Sequence, residues 1–206
     1  MKIIDTEKFK EQMEYCQVPK IFIQDLIDKY PDSFKEDIPK HGNVFFFGET
    51  GTGKTLKALS CVLNWFKGKR IDPFFFMFGN VSNMLYEIKD TFNPNYRPID
   101  PAELQYLNQR IPPFYNENKT PQTNILNKYT EPKILIMDDF GTQKSTDFSI
   151  DLLYLIINKR YEDMKITITT SNFSPEEIEE KIGDSRMLSR LLYQCQLIHM
   201  TKQYRM

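Results

Sequence analysis

The sequence predicts an α/β fold, a parallel sheet covered by helices on both faces. Three observations carry that prediction. Short apolar runs alternate along the chain with longer stretches of helical periodicity. Glycine is scarce, at 8 of 206 residues, yet Gly48, Gly51 and Gly53 cluster where one such run meets one such stretch. Proline is uneven too: Pro94, Pro98, Pro101, Pro112, Pro113 and Pro121, six of the twelve, mark a long surface excursion between periodic segments.

Taken in order, residues 5–16 read as a short amphipathic helix, and 19–30 as a second helical piece broken before Pro31. Asn43 to Phe47 is a buried strand by its continuous apolar run. Lys54 to Lys67 has helical spacing (Leu56, Leu59, Val62, Leu63, Phe66) and is closed by Gly68. Phe74 to Phe78 is a second strand; its run does not alternate, so its rings read as sheet core. Asn80 to Phe92 is a helix with Val81, Met84, Leu85 and Ile88 on one face. The Pro-rich stretch from about 93 to 123 breaks regular structure. Lys133 to Met137 is a third strand, Thr146 to Tyr161 a long helix and Ile166 to Thr170 a fourth strand. Ser174, Pro175 and the acids after them open a helix to about Lys181. A helix over about 184–194 and a strand near 196–200 follow. The chain thus divides into a short helical segment, 1–40, and a main domain over 41–206 that carries the insert.

Composition excludes several classes. Lys and Arg number 27 against 28 Asp and Glu, a net charge of −1, so any contact with nucleic acid must be a local patch rather than bulk charge. Apolar content of 40% with 14% aromatics excludes a mainly disordered chain. Cys16, Cys61 and Cys195 are isolated and odd in number, which argues against a zinc knuckle or a disulfide framework. The N-terminus lacks the apolar core of a signal peptide. The longest uncharged apolar run, Leu152 to Ile157, is far too short to span a membrane, so a cytoplasmic protein is expected.

The strongest motif is Gly48-Glu49-Thr50-Gly51-Thr52-Gly53-Lys54-Thr55, a full G-x-x-x-x-G-K-[ST] between a strand and a helix. Glycines let backbone N–H groups from Gly48 through Leu56 wind around phosphate oxygens. Lys54 brings a cation to the β- and γ-phosphates, and the Thr55 hydroxyl ligates Mg²⁺. Chance would produce the pattern in on the order of one chain in a hundred of this length. The second motif is the apolar strand ending in Asp138-Asp139. Asp138 is placed to hold Mg²⁺, and Asp139 to orient and deprotonate an attacking water; alone, the pair is an ordinary strand-to-turn cap before Gly141. The third is Ile168-Thr-Thr-Ser-Asn172, whose terminal amide is placed to contact a γ-phosphate or water. The fourth is Asp184-Ser-Arg186-Met-Leu-Ser-Arg190, two arginines on one helix face. They are either solvated or an arginine finger toward a neighbouring subunit's phosphate. From Lys181 to the end there are five Lys/Arg against Asp184 alone, a modest basic edge.

With these motifs in this order the chain resembles the AAA+ ATPases of the DnaC/IstB group, which comprises replicative-helicase loaders and transposition helper ATPases. The resemblance covers roughly 18–92 and 124–205. It includes Val18-Pro19-Lys20, Met137-Asp-Asp-Phe-Gly141, Ile156-Ile-Asn-Lys-Arg-Tyr161, Thr169-Thr-Ser-Asn172, Ser189-Arg190-Leu191 and His199 to Arg205. It implies a three-layer P-loop domain with a five-stranded sheet in the order 5-1-4-3-2; as a departure from the group, no C-terminal helical lid is expected after Arg205. It also implies that Asn172 is a sensor and Arg190 the finger, with Arg186 a second basic residue. Arg205 becomes a nucleotide contact, and Val18 and Pro19 flank adenine. ATP and Mg²⁺ are the expected cofactors. The expected partners are a DnaB-type replicative helicase, single-stranded DNA and further copies in a ring or spiral, with no membrane. Departures are the short N-terminal segment, Asp139 in place of the usual Glu, and a long insert whose Tyr96, Arg97, Tyr106, Arg110 and Tyr115 offer contacts to a partner or DNA. Three alternatives stand beside the loader: a transposase helper on duplex DNA, a small-molecule kinase, and a nucleotide-dependent binding module with weak hydrolysis.

Overall fold

Each apolar run has side chains for two faces, and in a computed structural model, which describes residues 6–29, 42–65, 75–97 and 115–201, these runs form one parallel sheet. Its strands are β1 (Asn43–Phe47), β2 (Phe76–Asn80), β3 (Ile134–Asp138), β4 (Ile166–Ser171) and β5 (Cys195–His199). Their order, β2-β3-β4-β1-β5, is the expected 5-1-4-3-2 read from the other edge. The helices are α1 (Thr6–Tyr15), α2 (Lys20–Lys29), α3 (Lys54–Trp65), α4 (Val81–Asp90), α5 (Pro121–Thr130), α6 (Asp147–Glu162), α7 (Pro175–Ile182) and α8 (Ser185–Leu191). None of them is long and apolar enough to cross a membrane.

Strand periodicity sorts the core into two layers. Val44, Phe46, Ile134, Ile136 and Ile168 face one side, packed with Ala58, Leu59 and Val62 of α3 and with Met13, Ile23 and Leu26 of α1 and α2. Phe45, Leu135 and Met137 face the other, under Met84 of α4, Ile156 of α6, Ile178 of α7 and Met187 of α8. The inner strand β3, between β2 and β4, is buried along its whole length, as a strand covered on both faces must be.

Three elements differ from expectation. β2 runs two residues further than Phe78, because Gly79 and Asn80 continue the ladder opposite Met137 and Asp138. Gly79 is an element of that strand rather than its break: a Cβ there would stand 2.6 Å from the Met84 sulfur. Where proline density predicts loop to about residue 123, α5 forms instead: Thr120 caps it and Pro121 occupies its first turn, as Ser174 and Pro175 do for α7. α8 is shorter than 184–194, ending at Leu191 before Gln194 turns into β5 with φ of 48°. Phe74, the end of the α3 stretch at Lys67 and Gly68, and Tyr106 and Arg110 lie outside the described residues.

One buried cation fixes the floor of the sheet. Arg160 of α6 is 1% exposed. Its Nε donates to Thr167 Oγ1 (3.0 Å), Nη1 to the carbonyls of Tyr129 (3.0 Å) and Pro132 (2.9 Å), and Nη2 to the carbonyl of Ile166. It therefore ties the α5–β3 turn to the start of β4, and burial pulls its pKa down to about 9.

Candidate functional site

The loop between β1 and α3 is wound by its glycines. Gly48, Gly51 and Gly53 have φ of 136°, 85° and 82°, conformations that side-chain-bearing residues rarely adopt. Gly48 is constrained twice. The Met200 N–H donates to the Phe47 carbonyl (2.7 Å), drawing the end of β5 so close that a Cβ on Gly48 would lie 2.3 Å from the Met200 oxygen. Lys54 opens α3 and is 6% exposed, with Nζ donating to the carbonyls of Gly48 (2.8 Å) and Glu49 (2.7 Å). Thr52 Oγ1 donates to the Glu49 carbonyl (2.9 Å). Glu49 and Thr50 stand exposed at the rim, and Leu56 is half-buried in the first turn of α3. The loop is thus closed around its own lysine. Burial lowers the Lys54 pKa, while the charges of Asp139 and Asp138 act in the other direction.

The strand order brings the acids to this loop. β4 lies between β1 and β3, so a hydroxyl on β4 separates the loop from the tip of β3. Thr55 Oγ1 donates to Asp138 Oδ1 (2.8 Å), and Thr170 Oγ1 donates to the same oxygen (2.7 Å). Asp138 is 5% exposed. Burial raises its pKa to about 6 against the lowering effect of the Thr170 and Thr55 hydroxyls. Asp139 follows in a left-handed turn, φ 58°, a region that aspartate tolerates better than most residues. Its N–H donates to Thr170 Oγ1 (3.1 Å), so one hydroxyl ties both acids together. Asn80, at the tip of β2, donates from Nδ2 to Asp139 Oδ2 (3.3 Å), while its Oδ1 caps α4 by accepting from Asn83 N–H (3.4 Å).

Thr55 and Asp138 together offer only oxygen donors, and among the described residues no cluster of three or more His, Cys, Asp or Glu gathers. That set fits Mg²⁺, which prefers oxygen, keeps several waters and takes further ligands from substrate phosphates. The carboxylate and both hydroxyls converge at the C-terminal ends of the strands, where α/β folds bind ligands.

The other expected residues are distributed as follows. Asn172 sits just beyond the end of β4, half-buried, and forms no hydrogen bond with described residues. Arg186 closes on Asp184, the residue that caps its own helix, with Nη2 to Oδ2 at 3.0 Å. Arg190 packs on α6, and its Nη1 donates to the Arg186 carbonyl (3.1 Å). None of the contacts of Arg190 is to the Gly48–Thr55 loop. Arg205 lies outside the described residues. Sequence reasoning missed Asn80 and Thr170. The signal for Thr170 was a hydroxyl near the C-terminal end of a strand beside the loop; for Asn80 it was a capping residue at a strand tip level with Asp138.

Comparison with known proteins adds to this geometry. Residues 115–206 match a family described as IstB-like ATP binding protein. No curated protein matches the chain in sequence. Among solved structures, the DnaC helicase loader superposes with a TM-score of 0.55 at 18% identity, over 88% of this chain and 87% of that one. DnaI gives 0.54 at 17%, over 98% and 88%. AMPPCP-bound DnaA from Aquifex aeolicus gives 0.51 at 18%, over 78% of this chain and 40% of its own. These identities speak for the fold. Motif order, the family match over residues 115–206 and the strand order agree: residues 115–206 are similar to IstB-like ATP binding proteins, and the fold is similar to that of the DnaC helicase loader and DnaI.

Proposed function

We propose that the chain binds ATP with Mg²⁺, hydrolyses it where neighbouring copies meet on DNA, and uses the cycle to load or remodel a replicative helicase of the DnaB type. The observation that carries this reading is the pair of hydroxyls, Thr55 and Thr170, converging on one oxygen of buried Asp138 beside Lys54. Residues 41–206 form the nucleotide-binding unit, with residues 1–40 as a helical segment ahead of it.

Each residue then has one task. The N–H groups from Gly48 to Leu56 orient phosphate oxygens. Lys54 exchanges the Gly48 and Glu49 carbonyls for the β- and γ-phosphate oxygens. Thr55, its hydrogen on Asp138, would hold Mg²⁺ together with Asp138, and the cation would supply Lewis-acid polarisation of the phosphates. Asp139, steadied by Asn80, takes the proton of the attacking water, and Asn172 orients that water. Arg190, assisted by Arg186, neutralises charge on the phosphate of the neighbouring copy, and Arg205 contacts nucleotide. The basic C-terminal edge and the insert face single-stranded DNA and the helicase.

Turnover per protomer should be slow at low protein concentration and rise with concentration and with single-stranded DNA. Asp139→Asn should keep nucleotide binding and lose turnover. Brisk turnover independent of concentration would sink the shared-site reading. The IstB-like family match favours a second reading, a transposition helper on duplex DNA. Stimulation by duplex rather than single strands, together with binding to a transposase, would select it.

A further inference from the structure

Arg190 is held in an unusual way. Its guanidinium carbon lies 5.1 Å from the ring centroid of Tyr154 and 5.9 Å from that of Tyr161, both on α6. Those tyrosines are seven residues apart, about two helical turns, so their rings follow one another along the face that α8 covers. Tyr193, just after α8, sets its ring edge-on to Tyr161 with centroids 5.1 Å apart. A guanidinium has five N–H donors. Here one Nη1 donor reaches the Arg186 carbonyl, and the Nε–H is buried with no acceptor among the described residues. Arg186, one turn earlier, shares the Tyr154 ring at 5.2 Å from its centroid, but its charge is matched by Asp184, and of the two arginines Arg190 alone lies over Tyr161.

We propose that Tyr154 and Tyr161 form a holding site for Arg190 in the free protomer, released when a neighbouring copy presents a phosphate. The inference rests on the trans role given to Arg190 above and adds positioning residues to it. Two opposed effects set the balance. Each ring face favours the held state, by roughly two- to fivefold for a partly exposed cation over an aromatic ring. The buried Nε–H opposes it, because a desolvated donor without an acceptor is costly and regains a partner on release. A phosphate satisfies the planar fork in a way that neither ring nor a single carbonyl does. The hold therefore biases free protomers toward the inactive placement yet gives way to the intended partner. It discourages wasteful turnover by chance encounters.

The test pairs kinetics with a direct view of the side chain. Tyr161→Leu should lower the protein concentration for half-maximal ATP turnover roughly two- to fivefold. Tyr161→Phe keeps the ring face and should match the wild type. In ¹⁵N-resolved NMR, the Arg190 Nε–Hε signal of the wild type should lie upfield of exposed arginines through the ring currents. It should return to an ordinary position in the Tyr154→Leu/Tyr161→Leu double variant. An ordinary position in the wild type overturns the holding site, as does an unchanged or raised half-maximal concentration in Tyr161→Leu. If Arg190→Ala retains the full concentration-dependent rise, the trans role itself has failed, and the Nε–Hε position alone then decides whether the rings hold the side chain.

Discussion

Asp138→Asn should stabilise the nucleotide-free protein while removing its response to Mg²⁺ and nucleotide. The carboxyl is 5% exposed, and burial raises its pKa from the usual 3.8 to about 6. At 1.36 kcal/mol per pH unit, ionised Asp138 costs the free fold about 3 kcal/mol at neutral pH. The sign follows from the direction of the shift. A carboxyl whose folded pKa is raised binds its proton more tightly in the folded state, so stability from this group is lost as pH rises from 3.8 through 6. An Asn at this position keeps an oxygen for the Thr55 and Thr170 hydroxyls but brings an NH₂ group needing an acceptor, which leaves a net gain of about 1–3 kcal/mol. For a chain of this size that is roughly 2–12 °C in Tm. Chemical denaturation at pH 8 and pH 5, without Mg²⁺ or nucleotide, measures it. The gain at pH 5 should be about half that at pH 8, because wild-type Asp138 is already largely protonated in the folded state. A less stable variant at pH 8, or an equal gain at both pH values, would refute the argument that a desolvated charge is stored at the site.

Three further outcomes follow from the same geometry. Arg160→Met should cost about 3–5 kcal/mol in denaturant unfolding, because it strands the Tyr129, Pro132 and Ile166 carbonyls in the interior. Gly48→Ala should abolish nucleotide binding in a fluorescent-nucleotide titration, since its methyl would meet the Met200 carbonyl at 2.3 Å and force the loop open. Asn80→Ala should lower turnover more than nucleotide affinity, because it frees Asp139 without touching the loop, and should also loosen α4 by about 1 kcal/mol through loss of its cap. Equal losses in turnover and affinity would argue against the Asn80–Asp139 contact as a positioning one.

Much of this was legible from residue types because local and global signals coincide. Asn43–Phe47, the 48–55 loop and α3 are each specified by contiguous residues, and the strand order follows from the family resemblance that they carry. Capping chemistry placed the start of α7 at Ser174, and the same chemistry at Thr120 and Pro121 marks α5, where proline density drew attention away from it. Gly79 shows a different limit: glycine reads as a break, yet here it is a strand residue whose missing side chain makes room for Met84. The contacts of Thr170 with Asp138 and of Arg190 with Tyr154 and Tyr161 depend on strand order and helix packing. Such pairings join residues distant in sequence, and no spacing rule encodes them. Arg186 and Arg190 look equivalent at i and i+4 and share the Tyr154 ring, and Asp184 beside one and Tyr161 beside the other distinguish them.

The central claim is that one copy supplies Lys54, Asp138 and Asp139 while its neighbour supplies Arg190. Mixing two variants tests it most directly. Asp139→Asn retains its arginine but not its base, and Arg190→Ala retains its base but not its arginine. Each alone should turn over little ATP, and an equimolar mixture at a concentration that supports assembly should recover a substantial part of wild-type turnover. A mixture no more active than the sum of its two components would contradict the claim and return the whole reaction to a single copy.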